Sequence, residues 1–576
     1  MVSMLHEEED GMKLRLFVFI VVASVLLSAC GGQAAPPATE PPAAGQAPAA
    51  APTEAPAAPA EPAVVRIGYA GSPDTLNPGV AVLSEAYFMF ELVYDAMYDL
   101  NLDGTFSLSL ADSVETSEDN LVWTYKLRDA TFHDGTPLTS EDVVFSYDLY
   151  ANTDGYPWMG DYTSYFDTVE APDPKTVVIT LTEAIPNLDS QLVFLYVLPK
   201  HIWENEDPVE FENTEMIGSG PFKMVEYKQN EFVHLAANPD HPTPPKVDEV
   251  IFQTFESNDA LVQAIKTGQV DMITEFPATA VDSLRAAENV EVVVGAPLAP
   301  TVTDVIFNQC SSDNCPEGDG VCSGHPSLQD RNVRLALAHA TDKQKIIDVV
   351  YLGLASPGTT LIPDGLGVWY NSDIQDYAFD VAEANRIFDD AGYLDTDNDG
   401  VRQMPDGTNP LRYRLNWPSD SIDGPRLAEL LGEMWKEVGV AVEPQALDPD
   451  ATTAICCPAF DFDVILWGWG SDPDPNLLLS VMTTDQIPTG SSETGYSNPE
   501  YDALYVQQGS EMDFESRKAL VWKMQQLAFD DVVYIIPYYD PALQAYRTDR
   551  FTGWVTDQPK VELADPTSLV FVEAVK

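Results

Sequence analysis

The sequence predicts a large α/β protein, and three observations carry that expectation. The chain has 576 residues, 45% of them hydrophobic, which is enough to fill more than one sizeable core. Along it, β-branched and aromatic runs alternate with helix-period segments. At residues 461–475 the run DFDVILWGWGSDPDP reads as a strand buried on both faces and closed by a Gly-Ser-Asp-Pro turn. That strand ends by delivering Trp467 and Trp469, then Asp472, to its carboxyl end. Ligands of open α/β sheets bind off the carboxyl ends of strands. A carboxylate fixed beside aromatic walls suits a cationic or amine-bearing small molecule.

Charge narrows the partners. The chain holds 92 Asp and Glu against 29 Lys and Arg, a formal charge of −63. Nucleic-acid binding needs basic patches and is excluded as the main activity. An electrostatic grip on anionic lipid is also excluded.

In chain order, residues 1–29 read as a signal peptide, with Met12 as the expected true start. Lys13 and Arg15 precede an apolar run at 16–27 that is too short to span a membrane. The segment Leu27-Ser28-Ala29-Cys30-Gly31 resembles a bacterial lipobox, which would make Cys30 the site of lipid attachment. Residues 33–62 are almost entirely Ala, Pro, Glu, Thr, Gln and Gly. With Cys30 they form an expected tether over 30–63, too poor in apolar residues to build a core. A strand is expected at 64–69, a helix at 83–100 and a strand at 123–128. A further helix is expected at 141–150, with Thr139 and Asp142 as its capping box. Helices also fit 331–355, as a packed pair, and 380–392, stopped by Gly392.

Several ordered stretches resemble the family 5 extracellular solute-binding proteins of ABC importers, which include dipeptide-, oligopeptide- and nickel-binding members. They are TLNP at 75–78, LVYDAMYDLNLDG at 92–104, LRDATFHDGTPLTSEDVVFSY at 127–147, IGSGPFKMVEY at 217–227, TGQVDMI at 267–273, RNVRLALAHATDKQKIIDVVYLGLA at 331–355, DVAEANRIFDDAGY at 380–393 and the 467–475 segment. The resemblance implies a periplasmic-binding-protein-like fold of two α/β lobes (type II, with an extra subdomain) and a hinge of two crossing segments. The implied first lobe is 64–299 with 540–576, including the subdomain at about 85–215. The second is 300–539. The crossings are expected near 302–308 and 535–539.

In peptide-binding members an aspartate a few residues after a Gly-Trp pair holds the peptide ammonium. By that resemblance Asp472 is the expected ammonium partner and Trp469 a pocket wall, with Asp474 a weaker alternative. Trp369 and Tyr370 fall in a loop that the family directs to the cleft, or form a surface aromatic pair. The implied partners are a small solute, a peptide first, and an ABC permease and ATPase. The protein would be a monomer at the outer face of the cytoplasmic membrane, touching it through lipid only. Nickel complexes and oligosaccharides are the alternative solutes.

Asp395, Asp397, Asp399, Gly400 and Asp406 match a twelve-position calcium loop at several places, yet Arg402 and Pro405 break its pattern. This stretch reads either as a structural calcium loop or as an Asp/Gly-rich hairpin, and no other cofactor is expected. Phe132–Gly135 reads as a hairpin, with His133 structural. Cys310, Cys315, Cys322 and His325 superficially suggest zinc, but an exported chain favours a disulfide within 310–322. Cys456 and Cys457 form a vicinal bridge, or one of them pairs elsewhere. No HExxH, GxSxG, GxGxxG or Walker sequence is present, so a binder is expected rather than an enzyme. A carboxylate-based hydrolase and a purely structural surface lipoprotein are the remaining classes.

Overall fold

The computed structural model describes residues 62–157 and 159–576. The expected signal peptide, the lipid-bearing Cys30 and nearly all of the tether lie outside the described residues. None of the described helices is long and apolar enough to cross a membrane.

The first lobe is built on a seven-stranded sheet. Its order is Val290–Gly295, Ala542–Arg547, Met272–Ile273, Val64–Ala70, Glu249–Phe255, Phe232–Ala237 and Phe222–Lys228. Val64–Ala70 lies at its centre, with Val65, Ile67 and Tyr69 buried. A four-stranded antiparallel sheet is appended, in the order Ala111–Thr116, Val122–Leu127, Thr176–Leu181, Phe166–Asp173. The helix Ser140–Asn152 packs on it, and Thr139 and Asp142 close its capping box.

The helix expected at 83–100 forms only over Ser84–Val93. Tertiary packing stops it. The Gly220 amide donates to the Val93 carbonyl at 2.9 Å, and a Cβ on Gly218 would fall 1.9 Å from that oxygen. Only glycine lets the 218–220 loop approach so closely. His133 braces this loop. Its Nδ1 accepts from the Gly218 amide at 3.3 Å and its Nε2 donates to the Gly220 carbonyl at 3.1 Å. Beyond the helix the chain turns into a hairpin of Tyr98–Leu100 and Phe106–Leu108.

The second lobe is built on a five-stranded sheet in the order Ala441–Leu447, Arg412–Pro418, Val464–Gly470, Thr301–Phe307, Tyr534–Tyr539. The helices Arg331–Ala340, Lys343–Val350 and Val381–Asp390 contribute to its core, around the buried Trp435. Asp380 caps the last of these, which ends before Gly392 at φ +85°. The crossings expected near 302–308 and 535–539 fall instead within paired strands of this sheet. The chain passes between the sheets at 296–300 and 540–541, the short links between neighbouring strands.

Cys315 bonds to Cys322 and Cys456 to Cys457. Cys310 is a buried free thiol.

Candidate functional site

The strand Val464–Gly470 is fully buried over Val464, Ile465 and Leu466, then opens so that Trp467 and Trp469 are partly exposed. It pairs antiparallel with Thr301–Phe307, Trp469 facing Val302. Gly468 is required there, because a Cβ would lie 2.5 Å from the Val302 carbonyl oxygen. The following turn is tied to the link between the lobes. The Ser471 amide and hydroxyl both donate to the Pro300 carbonyl, at 3.0 and 2.6 Å. This fixes where Asp472 and Asp474 project.

The two aspartates have different surroundings. Asp474 is 5% exposed. It receives both guanidinium arms of Arg517 at 2.5 and 2.7 Å and caps the Asn476 amide at 2.9 Å. Arg517, itself 3% exposed, comes from the helix Phe514–Asp530. Its guanidinium also lies 4.8 Å from the Trp369 ring centre. Asp474 is therefore occupied, which removes it as an alternative ligand anchor. Asp472 accepts no side-chain or backbone hydrogen bond and pairs with no cation among the described residues. Burial pushes its carboxyl up to about 6, and the Asp474 and Asp161 charges add to the effect. Asp161 belongs to the short helix Met159–Thr163 of the first lobe. The neighbouring Tyr162 phenol is raised by burial and then by the Asp472 charge.

Trp469 is held from behind. Its indole Nε1 donates to Glu493 at 2.7 Å. Burial pushes the Glu493 carboxyl up to about 8. Asp304, on the strand beside Trp467, is wholly buried with neither carboxyl oxygen bonded. Burial and then the Glu493 charge raise it well above the usual carboxylate range. Burial makes ionisation costly for both groups, most of all for Asp304, which has no donor, so both favour the protonated form.

Trp369 and Tyr370 pack on the same apolar cluster as Trp469, within the second lobe. Trp369 lies 5.2 Å from Phe514, and Tyr370 meets Tyr539 edge-on at 6.0 Å. The carboxylates of Asp395, Asp397 and Asp399 converge within 4.8 Å, all exposed. Asp406 is spent on the Thr408 amide at 2.9 Å and on the Thr408 hydroxyl. The cysteine cluster shows the expected disulfide within 310–322, and His325 turns its Nδ1 to the Ser327 hydroxyl at 2.7 Å.

Sequence reasoning missed Asp161, Tyr162, Glu493 and Arg517. Each lies more than 20 residues from the side chain that it serves, and no local pattern marks it.

The model of bacterial extracellular solute-binding proteins, family 5, in its middle region, matches residues 105–488. A putative ABC transporter peptide-binding protein of Brucella ovis is 29% identical over 440 residues, covering 74% of this chain and 77% of that protein. The oligopeptide-binding protein AppA of Bacillus subtilis, solved with a nonapeptide, superposes with a TM-score of 0.70 at 23% identity, covering 90% of this chain and all of that one. The substrate-binding protein CtaP of Listeria monocytogenes superposes with a TM-score of 0.75 at 27% identity, covering 89% and 99%. With the family model spanning two thirds of the sequence and the two-lobe architecture in common, the chain belongs to the bacterial extracellular solute-binding proteins of family 5.

Proposed function

We propose that the protein captures an amine-bearing solute, a peptide with a free α-ammonium, between its lobes and delivers it to an ABC permease. One observation carries the peptide reading. Asp472 is a largely buried carboxylate with no partner among the described residues, while Asp474, two residues on, is fully paired. A carboxylate in that state gains most from an incoming cation. Closure follows if the ligand binds the closed arrangement better than the open one. The protein performs no chemistry on its cargo, and ATP is consumed by the partner. The similarity to a putative peptide-binding protein of Brucella ovis and to a nonapeptide-bound protein of Bacillus subtilis supports the same solute class. The lipobox-like segment at Cys30 supports a lipid tether to the outer face of the cytoplasmic membrane.

Calorimetric titration with short peptides tests this. Asp472→Asn is expected to weaken binding by roughly 1.5–3 kcal/mol, about 10- to 150-fold in Kd. N-acetylation of the peptide should cost a similar amount, and the two changes together little more than either alone. Unchanged affinity in Asp472→Asn removes the ammonium role. Affinity should also fall as pH drops below about 6, where the free carboxyl takes its proton.

A further inference from the structure

The first lobe contains a cavity of about 350 Å³ that does not include Asp472. Its wall is aromatic and acidic: Tyr94, Tyr98, Phe194 and Tyr196 stand beside Glu91 and Asp565. We propose that this cavity is a second cation subsite, receiving an alkylammonium or guanidinium group such as a lysine or arginine side chain of the ligand. The proposal rests on the peptide reading above for the source of that group, and on the cavity alone for its chemistry.

Three observations carry it. First, the acids here divide as Asp474 and Asp472 do. Asp95, also in the wall, is satisfied by Arg128 at 2.9 Å, the Ser219 hydroxyl at 2.8 Å and His241 at 3.3 Å. Glu91 has no hydrogen-bond donor and no cation among the described residues. Burial and then the Asp565 and Glu562 charges raise it well above the carboxylate range. Asp565 spends one oxygen on the Thr567 amide at 2.7 Å and leaves the other unbonded. Second, Tyr196 is 3% exposed, lines the cavity, and its hydroxyl has no partner among the described residues. Glu91 is the charge that most affects that hydroxyl, with Asp565 also contributing. A phenol lining the cavity beside two acids offers its oxygen as an acceptor for a cationic donor. Aromatic faces around it add cation–π attraction. Third, the cavity wall contacts the short helix Met159–Thr163. Phe194 in its wall stacks on Tyr162 with ring centres 4.9 Å apart and planes at 25°. The Tyr162 phenol is raised by burial and then by the Asp472 charge. The Tyr162–Phe194 pair ties the cavity wall to that helix, and an extended peptide advances about 3.3–3.6 Å per residue.

The experiment titrates the protein with Ala-Lys-Ala and with Ala-norleucine-Ala, its uncharged near-isostere, and adds n-butylamine as a free cation. The lysine peptide is expected to bind about tenfold tighter than the norleucine peptide. Glu91→Gln and Tyr196→Phe should each reduce that ratio while leaving norleucine-peptide affinity unchanged. Asp472→Asn should weaken both peptides equally and keep the ratio. A ratio near one, or one that Glu91→Gln does not change, overturns the proposal. If neither peptide binds, the peptide reading fails separately. In that case stabilisation by n-butylamine that Glu91→Gln abolishes keeps the cavity as a free-amine site, and no stabilisation overturns it.

Discussion

Two acid-rich turns of the second lobe look alike in sequence and differ in what their carboxylates do. In the turn after Tyr393, Asp395 accepts from the Asp399 and Gly400 amides at 3.2 and 3.0 Å. Asp397 accepts from the Gln403 side chain at 3.1 Å, and Asp399 pairs with Arg412 at 2.9 Å. All three are exposed. Water and the turn's own amides satisfy them, so the chain gains a stable loop and little pull on a solute. In the turn after Trp469, burial replaces water. Asp474 meets that condition with a bidentate arginine, and Asp472 meets it with nothing. A count of acids marks both turns equally. What separates them is the partner that burial makes necessary, and that partner comes from elsewhere in the chain.

The comparison breaks most sharply at Arg517. Removing it as Arg517→Met leaves Asp474 buried and uncompensated, which costs about 3–5 kcal/mol. In a chain of this size that lowers the apparent Tm by roughly 3–5 °C. The double change Arg517→Met with Asp474→Leu should recover most of the loss, because two apolar side chains of similar volume replace a buried pair with small net effect. A loss below about 1 kcal/mol in the single variant would mean that water reaches Asp474 and that its pairing does not set it apart from Asp472.

A smaller effect of opposite sign is expected at Asp472. Its folded carboxyl is pushed up to about 6, against about 3.9 in an unfolded chain. The native state therefore holds the proton more tightly. Ionisation costs folding nothing below about pH 4, an increasing amount between 4 and 6, and its full amount above 6. Asp472→Asn should stabilise the protein at pH 8 by about 1–2 kcal/mol, after allowing for partial exposure, and leave it unchanged at pH 4. Urea melts at the two pH values check this. The proposed anchor would then cost stability, a common trade at functional sites. An equal difference at both pH values would show that the gain does not come from the charge.

The parts of this arrangement that were legible in sequence are those written in neighbouring residues. The apolar run at Val464–Gly470 announced a buried strand, and Thr139 with Asp142 announced a helix start. The Gly-Trp-Gly-Ser-Asp order singled out Asp472 only through family resemblance. Nothing local distinguished it from Asp474, since the arginine that does so is 43 positions later. Glu493 gave no signal because its partner Trp469 is 24 positions away on another element. The helix expected at 83–100 ran too far for the same reason: the glycines that end it are more than a hundred residues distant. The 395–406 turn shows the converse, a dense local pattern whose side chains mostly serve the turn.

The smallest expected effect tests that converse. Calcium remains our proposal for the 395–399 cluster, with Asp406 outside it. A cation there must compete with Arg412 for Asp399 and with backbone amides for Asp395. Weak binding, with a Kd of roughly 1 mM as in extracellular calcium modules, would raise Tm by only about 1 °C at 10 mM calcium. Asp397→Asn, which removes the one carboxylate whose second oxygen is unengaged, should abolish that rise. Magnesium should not reproduce it, because a site of exposed, flexible carboxylates does not impose tight octahedral geometry. A rise that persists in Asp397→Asn would be general ionic screening of a chain with a formal charge of −63. The turn would then be a hairpin whose acids bind their own backbone, and the contrast with Asp472 would be complete.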